Sequence, residues 1–83
     1  MTEVIVVTSL SCHLCEDALA GLAELADEFP LEVREVPLES REGAALFERC
    51  RPPMPPAVIV DGLLFSAGRL PRKKLRRRLE RAA

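Results

Sequence analysis

The chain has 83 residues, a formal net charge of −1 at pH 7, three cysteines, and neither Trp nor Tyr. This length predicts a single domain, residues 1–83, with a modest core, and a hydrophobic content of 48% argues against disorder. The chain shows no signal-peptide pattern and no apolar run near the roughly 18 residues that a membrane span needs. We therefore expect a cytoplasmic protein that does not bind membranes.

Charge is unevenly distributed along the chain. Residues 69–83 hold eight of the twelve Lys and Arg against one acid, Glu80, giving +7, whereas residues 1–68 carry −8. Such an asymmetry bears on partner choice rather than on fold. The basic segment has no interleaved aromatic residues that would stack on bases, so we predict no nucleic-acid binding. It is interpreted as a solvated helix face that can steer an acidic partner.

The chain begins with a predicted strand and a predicted helix. Residues 4–8 form a continuous apolar, β-branched run, which is typical of a strand buried on both faces. The chain then turns, and Ser11 is the predicted N-cap of a helix that runs from residue 12 to about residue 28. At 100° per residue, the apolar side chains of this helix share one arc of about 140°, opposite its acids.

Two cysteines three residues apart stand at the start of this helix, and helical phasing separates them. Cys15 projects into the apolar arc, Cys12 lies just beyond its edge, and His13 points to the acidic face. Three cysteines are too few for a disulfide-stapled secreted domain, and a close pair in a reducing compartment is more often catalytic or metal-binding. The spacing predicts a redox pair with Cys12 exposed and Cys15 behind it.

The later elements are predicted from alternation, proline and glycine. Pro37 follows an alternating strand and favours an edge position for it, four prolines within residues 52–56 exclude regular structure, and Asp61-Gly62 is a strong hairpin signal. In order, we predict a strand over 31–36, a helix over 41–50, strands over 57–60 and 63–66, a break at Gly68, and a helix over 71–82 that begins at Pro71 and carries a Leu75/Leu79/Ala82 stripe.

The predicted order is therefore β-α-β-α-β-β-α. The first two βα units imply parallel strands joined by right-handed crossovers, and the closing hairpin adds an antiparallel edge. The fold class is α/β, with a four-stranded mixed sheet and helices on both faces.

Three segments resemble, in order and spacing, the small thioredoxin/glutaredoxin-like proteins. They are Cys12-His13-Leu14-Cys15, then Pro56-Ala57-Val58-Ile59-Val60-Asp61-Gly62, then Gly68-Arg69-Leu70-Pro71-Arg72-Lys73-Lys74-Leu75. The resemblance covers essentially the whole chain and implies the thioredoxin fold in its minimal form. It also implies that Pro56, or else Pro55, is a cis-proline facing the cysteines, and that Pro55, Pro56 and Gly68 bind substrate.

The resemblance implies a thiol–disulfide oxidoreductase that reduces or exchanges disulfides in the cytosol. A free thiol has a pKa of about 8.5 and is mostly protonated at neutral pH, but the unpaired N–H groups and dipole at a helix N-terminus favour the thiolate of Cys12. Cys12 would attack a substrate disulfide and Cys15 would displace the reduced product. We expect no cofactor beyond the Cys12–Cys15 disulfide.

Two neighbours of the pair are predicted to modulate it. His13 adds positive charge near Cys12, which favours the thiolate, whereas Glu16 and Asp17 add negative charge, which disfavours it. Because these effects oppose one another, the sequence does not predict in which direction they shift the redox potential. Ser11 stands where the family has an aromatic residue.

The chain departs from the family pattern at further positions. A buried Asp that aids proton transfer in larger thioredoxins is replaced by Val6. Residues 66–69 carry no acidic group of the glutaredoxin type, so we do not predict glutathione dependence. Pro55, in the position that usually pairs its backbone with substrate, has no N–H to donate. We therefore predict weaker backbone capture of substrate.

Other functions and partners remain open at this point. The alternative class is a metal-binding module that uses Cys12 and Cys15 with His13 or Cys50, of which an iron–sulfur dimer bridged through Cys12 is a weaker variant. A third class is a non-catalytic thioredoxin-like interaction domain, which the presence of both cysteines disfavours. Cys50 shares a helix face with Leu46 and Phe47, which favours a core thiol over a third redox centre. The expected partners are a protein or small-molecule disulfide and an unidentified reductase, and the expected state is a monomer.

Overall fold

A computed structural model describes residues 1–82, apart from the side chain of Ala82, and confirms the predicted order of elements. The strands and helices are β1 (Thr2–Thr8), α1 (His13–Ala26), β2 (Leu31–Pro37), α2 (Arg41–Cys50), β3 (Ala57–Val60), β4 (Leu63–Ala67) and α3 (Arg72–Ala82). Within these residues, none of the helices combines the length and the apolar character that crossing a bilayer requires.

The four strands form one mixed sheet in the order β2-β1-β3-β4. β1 runs parallel to β2 and antiparallel to β3, and β3 pairs antiparallel with β4. The edge position predicted for β2 from Pro37 is confirmed. The predicted hairpin is also present, with positive φ at both Asp61 (49°) and Gly62 (86°), which is the backbone of a type I′ turn and matches the twist of the flanking strands.

Helices cover both faces of the sheet, because the buried strand residues alternate between two apolar clusters. Val4 and Val6 of β1 point into a cluster with α1 and α3, whereas Ile5 and Val7 point into a cluster with α2. The prediction that residues 4–8 are buried on both faces is confirmed. The helix residues that close the first cluster are Ala18, Leu22, Leu25, Leu75 and Leu79, and those packed against the second are Leu46, Phe47 and Cys50.

The helix ends differ slightly from the prediction. α1 ends at Ala26, two residues before the predicted end, and the N–H of the C-cap residue Asp27 bonds to carbonyls of the last turn. α3 begins one residue after Pro71, whose carbonyl accepts the N–H of Leu75 at 3.0 Å. Leu75 and Leu79 are buried as predicted, while the side chain of Ala82 lies outside the described residues.

One partly exposed side of the basic helix α3 is paired with acids of α1. Arg72 binds Asp17 and Glu24 at 3.0 and 2.7 Å. Arg76 binds both carboxylate oxygens of Glu28 at 2.7 Å, and this hydrogen bonding lowers the pKa of the Glu28 carboxyl. The arginines on this side of the helix remain partly solvated, with 42% of each side chain exposed, and they also complement the acidic face of α1.

Candidate active site: a cysteine pair at the start of α1

The cysteine pair lies where the central strand β1 delivers the chain to helix α1. Cys12 and Cys15 form a disulfide, with their Cα atoms 5.2 Å apart. Cys12 is half-buried, and Cys15 is only 3% exposed. The two sulfurs therefore differ in access, in the direction that the helical phasing predicts: Cys12 is the more reachable, and Cys15 faces the interior.

Cys12 itself is the N-cap of α1. Its backbone is extended (φ −115°, ψ 104°), and its Sγ accepts the N–H of Cys15 at 3.1 Å. The predicted Ser11 cap is wrong because Ser11 has a left-handed backbone, with φ of 51°, whereas an N-cap residue is typically extended. The sulfur thus occupies the position of a capping oxygen, at the positive end of the helix, where a backbone donor stabilises negative charge.

A proline loop reaches the same end of the sheet. The Pro55–Pro56 peptide bond is cis, so the predicted cis-proline is confirmed at Pro56 rather than Pro55. Strand β3 starts directly after it, with Ala57 opposite Val7 of β1. Since β1 then continues into the loop before Cys12, the antiparallel pairing brings the prolines to the end of the sheet that carries the cysteines.

Gly68, which directly follows β4, is hydrogen-bonded to this loop. Its N–H donates to the carbonyl of Pro56 at 2.9 Å, and its φ of 79° is left-handed. A Cβ at this position would lie 3.3 Å from the Sδ of Met54. Glycine therefore leaves room for the Met54 side chain to pack against the backbone at position 68, although Met54 as a residue is 45% exposed. The structure brings Pro55, Pro56 and Gly68 together at this end of the sheet.

The other candidate residues lie apart from the sulfurs or point elsewhere. The His13 side chain is fully exposed, and its Nδ1 lies 3.5 Å from Oε1 of Glu16. Cys50 packs against the cluster on the opposite face of the sheet. Among residues 1–82, no three His, Cys, Asp or Glu side chains gather in an arrangement that would hold a metal ion. The structure therefore does not bring His13 or Cys50 to the pair as further ligands.

Sequence reasoning missed one pair of polar residues at this end. Thr8, the last residue of β1, is 6% exposed, and its hydroxyl donates to Oε2 of Glu35 at 2.9 Å. Glu35 lies on β2 opposite Val6. Strand alternation alone places Glu35 on the α1 face with Leu31, but its contact with Thr8 depends on a register that the sequence does not reveal.

A small mixed α/β fold with a Cys-x-x-Cys disulfide at the start of its first helix is consistent with a thioredoxin-like protein. Comparison with known proteins finds no family model that matches the chain and no significant match among curated proteins. Function is therefore inferred from the geometry of the cysteine site.

Proposed function

We propose that this protein is a thioredoxin-like thiol–disulfide oxidoreductase in which Cys12 is the nucleophile and Cys15 the resolving thiol. The observation that carries the proposal is the N-cap geometry, in which Cys12 Sγ accepts the Cys15 N–H at 3.1 Å. A capping sulfur at a helix N-terminus is stabilised as a thiolate, which is the species that attacks disulfides. The bonded partner, Cys15, is buried and so is shielded from substrate.

The proposed reaction transfers two electrons to a substrate disulfide. The Cys12 thiolate attacks one sulfur of the substrate, the substrate S–S bond breaks, and the other sulfur leaves as a thiolate that takes a proton from water. Cys15 then loses its proton and attacks Cys12 Sγ, which breaks the mixed disulfide and releases the second substrate thiol. The Cys12–Cys15 disulfide that remains must be reduced by an external dithiol, the role of the proposed reductase partner.

The proline loop supports a site that captures substrate weakly through its backbone. Pro55 has no N–H, and the carbonyl of Pro56 is already bonded to Gly68. A peptide lying along Pro55 therefore finds an acceptor there but no donor. We propose protein or small-molecule disulfides as substrates, in a reducing compartment such as the cytoplasm, with no dependence on glutathione.

Disulfide reduction with dithiothreitol as electron donor tests the proposal. Insulin precipitation should be catalysed by the wild type, abolished by Cys12→Ser, and strongly slowed by Cys15→Ser. Mixed with insulin in the absence of dithiothreitol, reduced Cys15→Ser should accumulate a mixed disulfide. Cys50→Ser is the matched control, because its thiol lies on the other face of the sheet, and it should retain the wild-type rate. Equal rates in all four proteins would refute the proposal.

The same preparations test the metal-binding alternative. Zinc bound to the reduced wild type in a one-to-one ratio, and lost from the Cys12 and Cys15 variants, would favour it.

A further inference from the structure

The outward side of α3 carries a row of cations. Lys73, Arg77 and Arg81 follow one another at intervals of four residues, so they are neighbours along the helix surface. All three are exposed, and among residues 1–82 none of the three takes part in an ion pair. The adjacent side of α3 differs, because Arg72 and Arg76 are bound by acids of α1. This basic row (Lys73, Arg77 and Arg81) is therefore charge that the described part of the chain leaves unneutralised.

Neither helix stability nor solubility accounts for the basic row. Like charges four residues apart repel one another and destabilise a helix. Lys73 also lies in the first turn, where the helix dipole disfavours a cation and where α3 has no acid. A net charge far from zero keeps a protein soluble, but the cations of this chain bring its net charge to −1. A partner of opposite charge does account for the row.

The basic row begins at the end of the sheet that carries the cysteines. Gly68 lies at this end, where its N–H donates to the carbonyl of Pro56, and α3 starts shortly after it at Arg72. Arg72 binds Asp17, in the first half of α1, so the starts of the two helices lie side by side. Lys73, the first cation of the row, therefore lies at this end. A polypeptide whose disulfide reaches the cysteines can extend along the row.

We propose that the basic row binds an acidic segment of the polypeptide that carries the substrate disulfide. This inference rests on the proposed function and specifies its substrate class. Opposite charges attract over a long range and raise the rate of encounter, which compensates for the missing backbone donor at Pro55. α3 has no aromatic side chain on which a base could stack, and this favours an acidic polypeptide over a nucleic acid.

Peptides that differ only in charge test the proposal. Each has one cysteine, joined by a disulfide to thionitrobenzoate and separated by a Gly-Ser linker from a run of Glu, Gln or Lys. Attack by Cys12 on the peptide sulfur releases the coloured thionitrobenzoate thiolate, so stopped-flow absorbance gives the second-order rate constant. All proteins carry Cys50→Ser, which removes the third thiol. Each rate constant is divided by that of the same peptide with 2-mercaptoethanol, which corrects for the intrinsic reactivity of the peptide.

At low ionic strength the Glu peptide should react about tenfold faster than the Gln peptide, the scale of electrostatic steering, and the Lys peptide should be the slowest. The Glu-to-Gln ratio should fall to about twofold or less in about 0.5 M salt, where the Debye length is only a few Å. The double variant Lys73→Gln/Arg77→Gln should lower this ratio at least about threefold at low salt, while the Gln peptide keeps its rate.

Arg41→Gln/Arg49→Gln is the matched control, because it removes the same charge from exposed positions of α2, on the other face of the sheet. It should keep the wild-type ratio. Equal ratios in the two double variants, or equal rates for the three peptides with wild type, would overturn the role of the basic row. Inhibition by duplex DNA at lower concentrations of charge than by polyglutamate would overturn it in favour of a nucleic acid. A wild type that reacts no faster than Cys12→Ser would instead refute the proposed function itself.

Discussion

A single methyl group added at Gly43 should reverse the usual effect of replacing glycine in a helix. Gly43 lies in the first turn of α2 and is buried. A Cβ there would overlap the carbonyl oxygen of Pro37 and would lie 2.8 Å from its carbonyl carbon and 3.0 Å from Cα of Leu38. These are all backbone atoms, so no side-chain rotation relieves the overlap.

The expected change in the free energy of unfolding combines one stabilising and two destabilising contributions. Alanine stabilises a helix interior by about 1 kcal/mol relative to glycine, whereas overpacking against fixed atoms costs about 2 kcal/mol. The Pro37 carbonyl also accepts the Ser40 hydroxyl at 2.6 Å, and Ser40 caps α2, so displacing Pro37 puts at risk a cap worth about 1 kcal/mol. Gly43→Ala should therefore destabilise the protein by about 2 kcal/mol and lower Tm by roughly 10 °C.

Thermal and urea denaturation followed by circular dichroism, with the disulfide kept oxidised, measures this change. Gly21→Ala in α1 is the matched control: Gly21 is also a buried helix glycine, but its added Cβ would meet side-chain atoms, Nε of Arg72 at 2.8 Å and Cδ2 of Leu70 at 3.0 Å. Because those side chains can move, Gly21→Ala should stay within about 1 kcal/mol of wild type. Equal stability of the two variants would refute the reasoning.

Three further predictions concern the thiol, the ion pairs and the substrate loop. Cys50→Ala should leave insulin reduction unchanged and cost about 1 kcal/mol in urea denaturation, because a partly buried sulfur is lost from the core; slowed catalysis would contradict its assignment as a core thiol. Since Arg76 lowers the pKa of Glu28, the pair stabilises the fold above the unfolded-state pKa, and this contribution is lost as pH falls through the lowered value. Glu28→Gln should therefore be less stable than wild type at neutral pH and equal to it in strong acid, which urea titrations at several pH values will show. Pro55→Thr restores a backbone donor and should lower KM for a protein disulfide in steady-state assays, and an unchanged or higher KM would count against weak backbone capture.

Most of the fold is predictable because the relevant signals are local. The β-branched run at residues 4–8 and the Asp61-Gly62 turn identify β1 and the hairpin without tertiary information. The burial of Cys15 follows from helical phasing, whereas the position of Cys12 also depends on its extended N-cap backbone. The family resemblance, rather than the chemistry of the residue, favours Pro56 over Pro55 as the cis-proline, because both positions are prolines.

The features that escape prediction depend on backbone conformation or strand register. Serine is a more favourable N-cap residue type than cysteine. The backbone at Ser11, however, is left-handed where the chain turns out of β1, so Cys12 is the N-cap instead. The Thr8–Glu35 bond joins residues 27 positions apart. The pairing of α3 with α1 likewise requires knowing that the two helices share a face of the sheet.

The hairpin at Asp61 and Gly62 also determines where this protein can be attached to a surface. β3 pairs Val60 with Val4, so the turn lies at the opposite end of the sheet from the cysteines. Two hydrogen bonds between Asp61 and Glu3 connect the turn to the start of β1. The Glu3 N–H donates to the Asp61 carboxylate, and the Asp61 N–H donates to the Glu3 carbonyl. The space beside Gly62 is open. A peptide tag inserted after Gly62 would immobilise the protein on an electrode or a resin with its disulfide directed toward the solution.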